Sequence, residues 1–350
     1  AKSLFLNRLS QTEKNLKYNV GKSFVYVSMI VLLGCTDTET NYFCENYEVI
    51  ERPESTKKLT AEQILSGDSL LDVGRIFCID DKLLDVNAKN KNAVFTVYDT
   101  HGMCVGSFGK TGRARNEFTG GAVVTQQFEN GTLWINDVNK ATLAKVNLKA
   151  SLDSSTCVVD KEMVTAGRVV NAFYVNDSTI LYEQETMDNY RIYVYNTLQG
   201  KAIEQYDLYT PCRDAFGVYY SYMLLHPNKD KLVAVMSTLN QVNFLTVKDG
   251  KRKAVSLYEE SVLEKDYGKQ KQYYCDVTAT ADRIYALYMN QSKEESFDKP
   301  KPMEIHVFDW DGNFKERLLV SEYIFNIAVN EQGKYLYGLN LDNNVYKYKL

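Results

Sequence analysis

The chain has 350 residues, 45% hydrophobic and 25% charged, with 26 Tyr, 19 Gly and 5 Pro. Disorder needs fewer apolar residues and collagen far more Gly, so both classes are excluded. Lys and Arg number 41 against 45 Asp and Glu, and the resulting net charge of −4 argues against a nucleic-acid surface.

The first element in chain order is a processing signal. Lys14, Lys17 and Lys22 supply a positive flank, and residues 24–33 are an uncharged apolar run. That run is shorter than the roughly 20 residues a spanning helix needs. It ends Leu32-Leu33-Gly34-Cys35, which resembles a bacterial lipobox, where cleavage before Cys leaves a lipidated N-terminus. A core strand beside a chance cysteine explains the apolar run but not its basic flank. The expected division is 1–34 as signal, 35–65 as a lipidated tether with a ring-closing strand, and 66–350 as one folded domain. Cleavage removes five basic residues (Lys2, Arg8, Lys14, Lys17, Lys22) and one acid (Glu13), so the mature chain carries 36 basic and 44 acidic groups, a net of −8. The following Thr36-Asp37-Thr38-Glu39 resembles the surface-export signals of Bacteroidota lipoproteins. Six other cysteines (Cys44, Cys78, Cys104, Cys157, Cys212, Cys275) are dispersed without a Cys-x-x-Cys pair, and give no readable disulfide framework.

From Ile76 onward one pattern recurs: a short apolar strand, a polar turn, and a second strand opening on Leu or Ile. The second strands open at Leu83, Leu133, Ile180, Leu232, Ile284 and Leu336, at intervals of 50, 47, 52, 52 and 52 residues. Third strands alternate, as in Phe95-Thr96-Val97-Tyr98 and Ile305-His306-Val307-Phe308, and lead into Gly, Asn and Asp turns before a fourth strand. Four antiparallel strands at a period near 50 predict an all-β, six-bladed β-propeller. Length alone suggests about two domains at roughly 150 residues each; the unbroken repeat replaces that with one ring. The last unit ends on its third strand near Leu350, so an N-terminal strand must complete it, and the β-capable 47–50 segment is the expected closure.

The lipobox, the run Val97-Tyr98-Asp99-Thr100-His101-Gly102 followed by Phe108-Gly109-Lys110-Thr111-Gly112, and Val307-Phe308-Asp309-Trp310-Asp311-Gly312 together resemble the TolB-like six-bladed propeller lipoproteins of Bacteroidota. The likeness covers essentially residues 35–350. Where related propellers continue Gly-Pro-Gly-Glu-Phe, this chain has Ala114-Arg115-Asn116-Glu117-Phe118. The resemblance implies the fold and a cell-envelope location, as an outer-membrane lipoprotein facing the periplasm or the surface. It implies no chemistry.

No catalytic constellation is readable. The 109–121 stretch lacks P-loop order. His101, His226 and His306 fall in different units without zinc spacing. Asp309-Trp310-Asp311-Gly312-Asn313 reads as a hairpin turn, not a calcium loop. Glu259-Glu260 and Glu294-Glu295 read as solvated loops. The expectation is therefore no cofactor, no metal and no catalytic residue. Asp68-Ser69-Leu70 and Asp177-Ser178-Thr179 resemble the Bacteroidota O-glycosylation acceptor.

Loop length points to function instead. The first-to-second and third-to-fourth turns of each blade lie on one face and read as short throughout. The second-to-third loops and blade-to-blade links lie on the other and hold the long segments 110–121, 209–221, 259–272 and 290–303. Lys110, Arg113 and Arg115 form a basic cluster there, and Arg213, Tyr219, Tyr220, Tyr267 and Tyr273 add groups suited to protein or glycan contact. The expected function is non-enzymatic binding or scaffolding of a protein or glycan by this face, with membrane attachment through lipid only and no nucleic acid. The alternative is a sugar- or lactone-directed hydrolase or lyase with carboxylates or a metal at the propeller axis.

Overall fold

Two-residue turns with positive φ at both positions drive the blade hairpins. Asp80 (+47°) and Asp81 (+53°) join the first pair of strands in blade 1, and Asn130 (+49°) and Gly131 (+69°) do the same in blade 2. Such turns match the right-handed twist of the strands they connect. The computed structural model describes residues 46–67, 74–87, 89–186, 190–209, 218–262, 264, 269–298 and 301–350, all within the compact unit 42–350. The signal segment, Cys35, Cys44, Asp68-Ser69-Leu70 and Cys212 lie outside these residues. Among those described, no helix is long and apolar enough to cross a membrane.

Six antiparallel sheets form the ring. Blade 1 runs Arg75–Ile79, Lys82–Val86, Phe95–Tyr98 and Cys104–Phe108 from axis to rim. The remaining blades begin on the inner strands Ala122–Glu129, Ala172–Asn176, Ser221–Leu225, Lys271–Ala279 and Ile324–Val329. Burial falls outward: all of the inner strand Arg75–Ile79 but Arg75 is buried, Phe95–Tyr98 buries alternate residues, and the rim strand Lys201–Asp207 is mostly exposed. Each seam between neighbouring blades holds its own apolar cluster. Between blades 1 and 2, for example, Phe95 stacks on Phe108 at 5.1 Å and meets the edge of Phe118 at 5.4 Å. A sheet buried on both faces against its neighbours needs bulky residues on both, which accounts for much of the Tyr and Phe content.

Closure by an N-terminal strand holds, but by a different strand from the one expected. Ala61–Leu65 pairs antiparallel with Val345–Lys349 and becomes the rim strand of blade 6. Tyr47–Ile50 instead adds a fifth strand to blade 4, parallel to Lys251–Leu257, and Thr56–Lys58 does the same for blade 5 against Phe314–Val320. Residues 47–65 thus strap three consecutive rims. Strand propensity at 47–50 was legible; its partner was not, because any unpaired rim strand offers the same ladder. One short turn is also longer than read: the third-to-fourth connection of blade 2 contains helix Leu148–Ser154, capped by the Asn147 side chain accepting from Ala150 N at 3.0 Å.

The described cysteines Cys78, Cys104, Cys157 and Cys275 are free thiols. Burial pushes Cys78 and Cys157 up to about 12, so neither is a nucleophile at neutral pH.

Candidate functional site

The link from blade 1 to blade 2 is a rigid hook. Lys110–Thr111 pairs with Glu117–Phe118 in a small parallel ladder, and Gly112 N donates to Phe118 O at 2.9 Å. Inside the turn, Ala114 N donates to Glu117 Oε2 at 3.0 Å. A Cβ on Gly112 would lie 1.9 Å from that oxygen, so any larger residue there would push the Glu117 cap aside. From blade 2, Lys140 Nζ donates to Ala114 O (2.8 Å) and Glu117 O (3.0 Å), while Phe118 is buried. The Glu-Phe pair that survives from the related motif therefore anchors the hook. Lys110, Arg113 and Arg115 stand exposed on it, and their side chains make no hydrogen bond or ion pair among the described residues.

The tyrosines chosen with them divide. Tyr220 is 50% exposed and meets Tyr222 edge-on at 5.5 Å. Tyr219 is buried, stacked on Tyr209 at 4.6 Å in the seam of blades 3 and 4. Tyr273 is buried in the seam of blades 4 and 5. Both are corrections: a phenol ring in a blade seam contributes apolar area to the core and is unavailable to a partner. Arg213 and Tyr267 lie outside the described residues.

Nearer the axis on the same face, Arg75 of blade 1 pairs with Asp276 of blade 5 and lies over the rings of Phe77 (5.5 Å) and Tyr222 of blade 4 (5.9 Å). Asp276 also accepts from Asn326 Nδ2 and Ile327 N of blade 6, and Asn326 Oδ1 accepts from Ile76 N of blade 1 at 2.7 Å. Burial raises the Asp276 pKa, and the Arg75 charge opposes that rise. Deeper in, Gln126 of blade 2 donates its amide to Val277 O of blade 5 at 2.9 Å, bridging opposite sides of the ring. Gln126 does so at φ +57°, a left-handed conformation that costs about 1–2 kcal/mol for a residue with a Cβ. The Gln126 bond thus spans the axis between the two faces.

On the short-turn face the axis opens into a cavity of about 360 Å³. Its wall includes Trp134, stacked on Tyr174 at 4.2 Å, and Trp310, whose indole N–H donates to Thr280 O at 3.1 Å. His226 meets Trp310 edge-on at 4.8 Å and bonds Ala281 O at 3.0 Å, which fixes the turns of blades 4 and 5. Lys229 Nζ sits 4.5 Å from the Tyr174 ring centre. Asp80, Glu129 and Glu331 line the cavity from three separate turns and are exposed. Glu129 pairs with Lys145 at 3.5 Å. Among the described residues no three His, Cys, Asp or Glu come together as a metal site. The axial alternative thus has three dispersed carboxylates to draw on, not a converged set. Loop-length reasoning did not find this cavity, because short hairpins build it.

A buried network at blades 4 and 5 also escaped the sequence reading. Tyr274 OH bonds His306 Nδ1 at 3.0 Å, and His306 Nε2 bonds Glu304 Oε2 at 3.3 Å. Tyr258 donates to Glu304, and Arg317 donates to Tyr258 OH at 3.0 Å and to Thr56 Oγ1 at 3.1 Å. Burial lowers the His306 pKa and keeps the ring neutral. Burial pushes Glu304 up, but His306, Tyr258 and Arg317 outweigh it and hold the carboxyl below its usual value. The network clasps the strap, since Tyr258 N also donates to Ile50 O at 2.9 Å. Asp177, the described member of the two O-glycosylation matches, accepts from Lys161 and from Tyr174 OH.

A protein-family model described as "TolB-like 6-blade propeller-like" matches residues 75–332. Among solved structures, a Bacteroides fragilis protein described as exported superposes with a TM-score of 0.51 at 12% identity, over 87% of this chain and 98% of that one. At that identity the likeness carries the fold alone. No curated protein matches the chain.

Proposed function

The chain belongs to the TolB-like six-bladed propeller family, and on that premise we propose that it is a non-enzymatic binding or scaffolding propeller of the cell envelope. It is held to the membrane by lipid at Cys35 and engages an acidic protein or glycan through the long-loop face. The observation that carries this reading is the hook: three exposed cations, Lys110, Arg113 and Arg115, on a loop fixed by backbone pairing and two Lys140 bonds. A chain of net negative charge that fixes unpaired cations on one rigid loop has a surface ready for an anionic partner at little ordering cost.

Immobilised poly-glutamate, heparin and polygalacturonate serve as acidic polypeptide and glycan probes. At low ionic strength at least one should retain the protein, and the double variant Arg113→Glu/Arg115→Glu should weaken retention by about tenfold or more. Equal retention of the variant, or none by any probe, would count against the hook. The anchor has its own test. Cys35→Ser should move the protein from the membrane to the soluble fraction, and unchanged membrane retention would refute lipid attachment.

A further inference from the structure

The axial cavity lies on the face opposite the hook and is lined by none of its residues, so it is a second site independent of the function proposed above. An irregularity in blade 2 sets its floor. The register between Ala122–Glu129 and Thr132–Asp137 shifts between Val124 and Phe128, and Gln126 adopts its left-handed conformation within that bulge. Bulges re-aim side chains and recur beside functional sites. Here two consecutive glutamines reach the cavity. Gln127 is spent on blade 3, donating to Tyr174 O and accepting from Tyr174 N, both at 2.8 Å. Gln126 donates to Val277 O, and its Oε1 accepts nothing among the described residues.

Charge narrows the ligand class. An anion entering here meets Asp80, Glu129 and Glu331, while the cation Lys229 is held against Tyr174. A cation is drawn to the same carboxylates, but they stand on three separate turns and do not converge, and among the described residues Trp134 and Trp310, only 2% and 6% exposed, form no open aromatic cage. What remains are the neutral groups Gln126 and Asn130, able to pair with hydroxyls, beside the apolar surface of Phe128. Thr278 and Thr280 also line the cavity, but their Oγ1 atoms already accept from Val329 N and from Asp282 and Arg283 N. The volume is at the small end for ligand pockets, roughly that of one or two sugar rings. From this combination we infer that the axial cavity binds a neutral polyhydroxylated ring, a mono- or disaccharide or the end of a glycan, with Gln126 as the recognition residue on its floor.

The chain has two tryptophans, and both line this cavity, so intrinsic fluorescence reports it selectively. Titration of the full chain with glucose, galactose, mannose, N-acetylglucosamine, maltose, cellobiose and lactose should give a saturable change for at least one. Gln126→Ala and Gln126→Gly should each weaken that binding by about tenfold or more. Glycine accepts the left-handed backbone without strain, so an unchanged melting temperature in Gln126→Gly separates lost recognition from lost folding. Arg113→Glu/Arg115→Glu should bind the sugar as the wild type does, which keeps failure of the hook and failure of the cavity distinguishable. Three results would overturn the inference: no saturable change with any neutral sugar up to concentrations on the order of tens of millimolar, wild-type binding by Gln126→Gly, or tighter binding of glucuronate or glucosamine than of their neutral counterparts.

Discussion

A chain beginning at Gly67 should fail to fold, whereas one beginning at Asn46 should unfold cooperatively near the temperature of the full chain. The shorter chain loses the rim strand Ala61–Leu65, whose pairs Leu65↔Val345, Gln63↔Tyr346 and Ala61↔Tyr348 complete blade 6. It also loses the fifth strands of blades 4 and 5. Leu59 and Leu65 are 3% and 7% exposed in two different seams, and removing a leucine from such a site costs about 2–5 kcal/mol. Two of them approach the whole stability of a domain, about 5–15 kcal/mol, before the opened strand edges are considered. Circular dichroism and soluble yield read the outcome. A cooperative transition in the Gly67 chain within a few degrees of the full chain would show that the ring does not need its N-terminal strap.

Glu183→Gln should stabilise the protein strongly in alkali and hardly at all in acid. Glu183 ends deep in blade 3, where Oε2 accepts from Asn171 Nδ2 at 2.7 Å and Oε1 has no partner among the described residues. Burial, opposed by Asn171 and assisted by Glu185, pushes its pKa from 4.5 up to about 8. A carboxyl raised in the folded state favours folding in full below 4.5, and that contribution disappears as pH climbs to about 8. Across this window the loss is roughly 5 kcal/mol, at 1.36 kcal/mol per pH unit. Glutamine copies the protonated acid and has nothing to ionise. At about 2–4 °C per kcal/mol for a chain of this kind, the melting temperature of the variant should exceed the wild type by on the order of 10 °C above pH 8 and match it by pH 4.5. A gain independent of pH would place the effect in packing and not in proton linkage. Asp85, raised by burial to about 7, adds to the same decline in the wild type. His306 acts in the opposite direction: with its pKa lowered in the fold, stability falls as pH drops below its ordinary 6.5. Comparing variant with wild type at each pH isolates Glu183.

The ring was legible because each blade repeats one demand, an apolar inner pair of strands joined by a turn that tolerates positive φ, at an interval the chain keeps from Leu83 to Leu336. What depends on a partner distant in sequence was not. Tyr47–Ile50 reads as a strand, but nothing in four residues says that its ladder lies on blade 4. Tyr219 and Tyr273 read as contact residues because phenols suit surfaces and seams alike, and only packing assigned them to seams. The hook cluster Lys110, Arg113 and Arg115 was visible as charge, while its rigidity rests on Gly112, Glu117 and Lys140, the last from blade 2. Gln126 carried no signal at all: strand alternation gives no hint that residues 124–128 contain a bulge, nor that the amide bonds a strand 151 residues away.

Attachment of a photo-cross-linking side chain at position 113, and in parallel at Lys248, which is exposed on a short turn of the opposite face, tests the central functional claim in the intact envelope of the cells that make the protein. Position 113 should yield a discrete adduct that disappears when Lys110 and Arg115 are changed to Glu, and Lys248 should yield none of that product. The same adduct from both positions, or an adduct at 113 that survives the charge reversal, would contradict recognition through the hook.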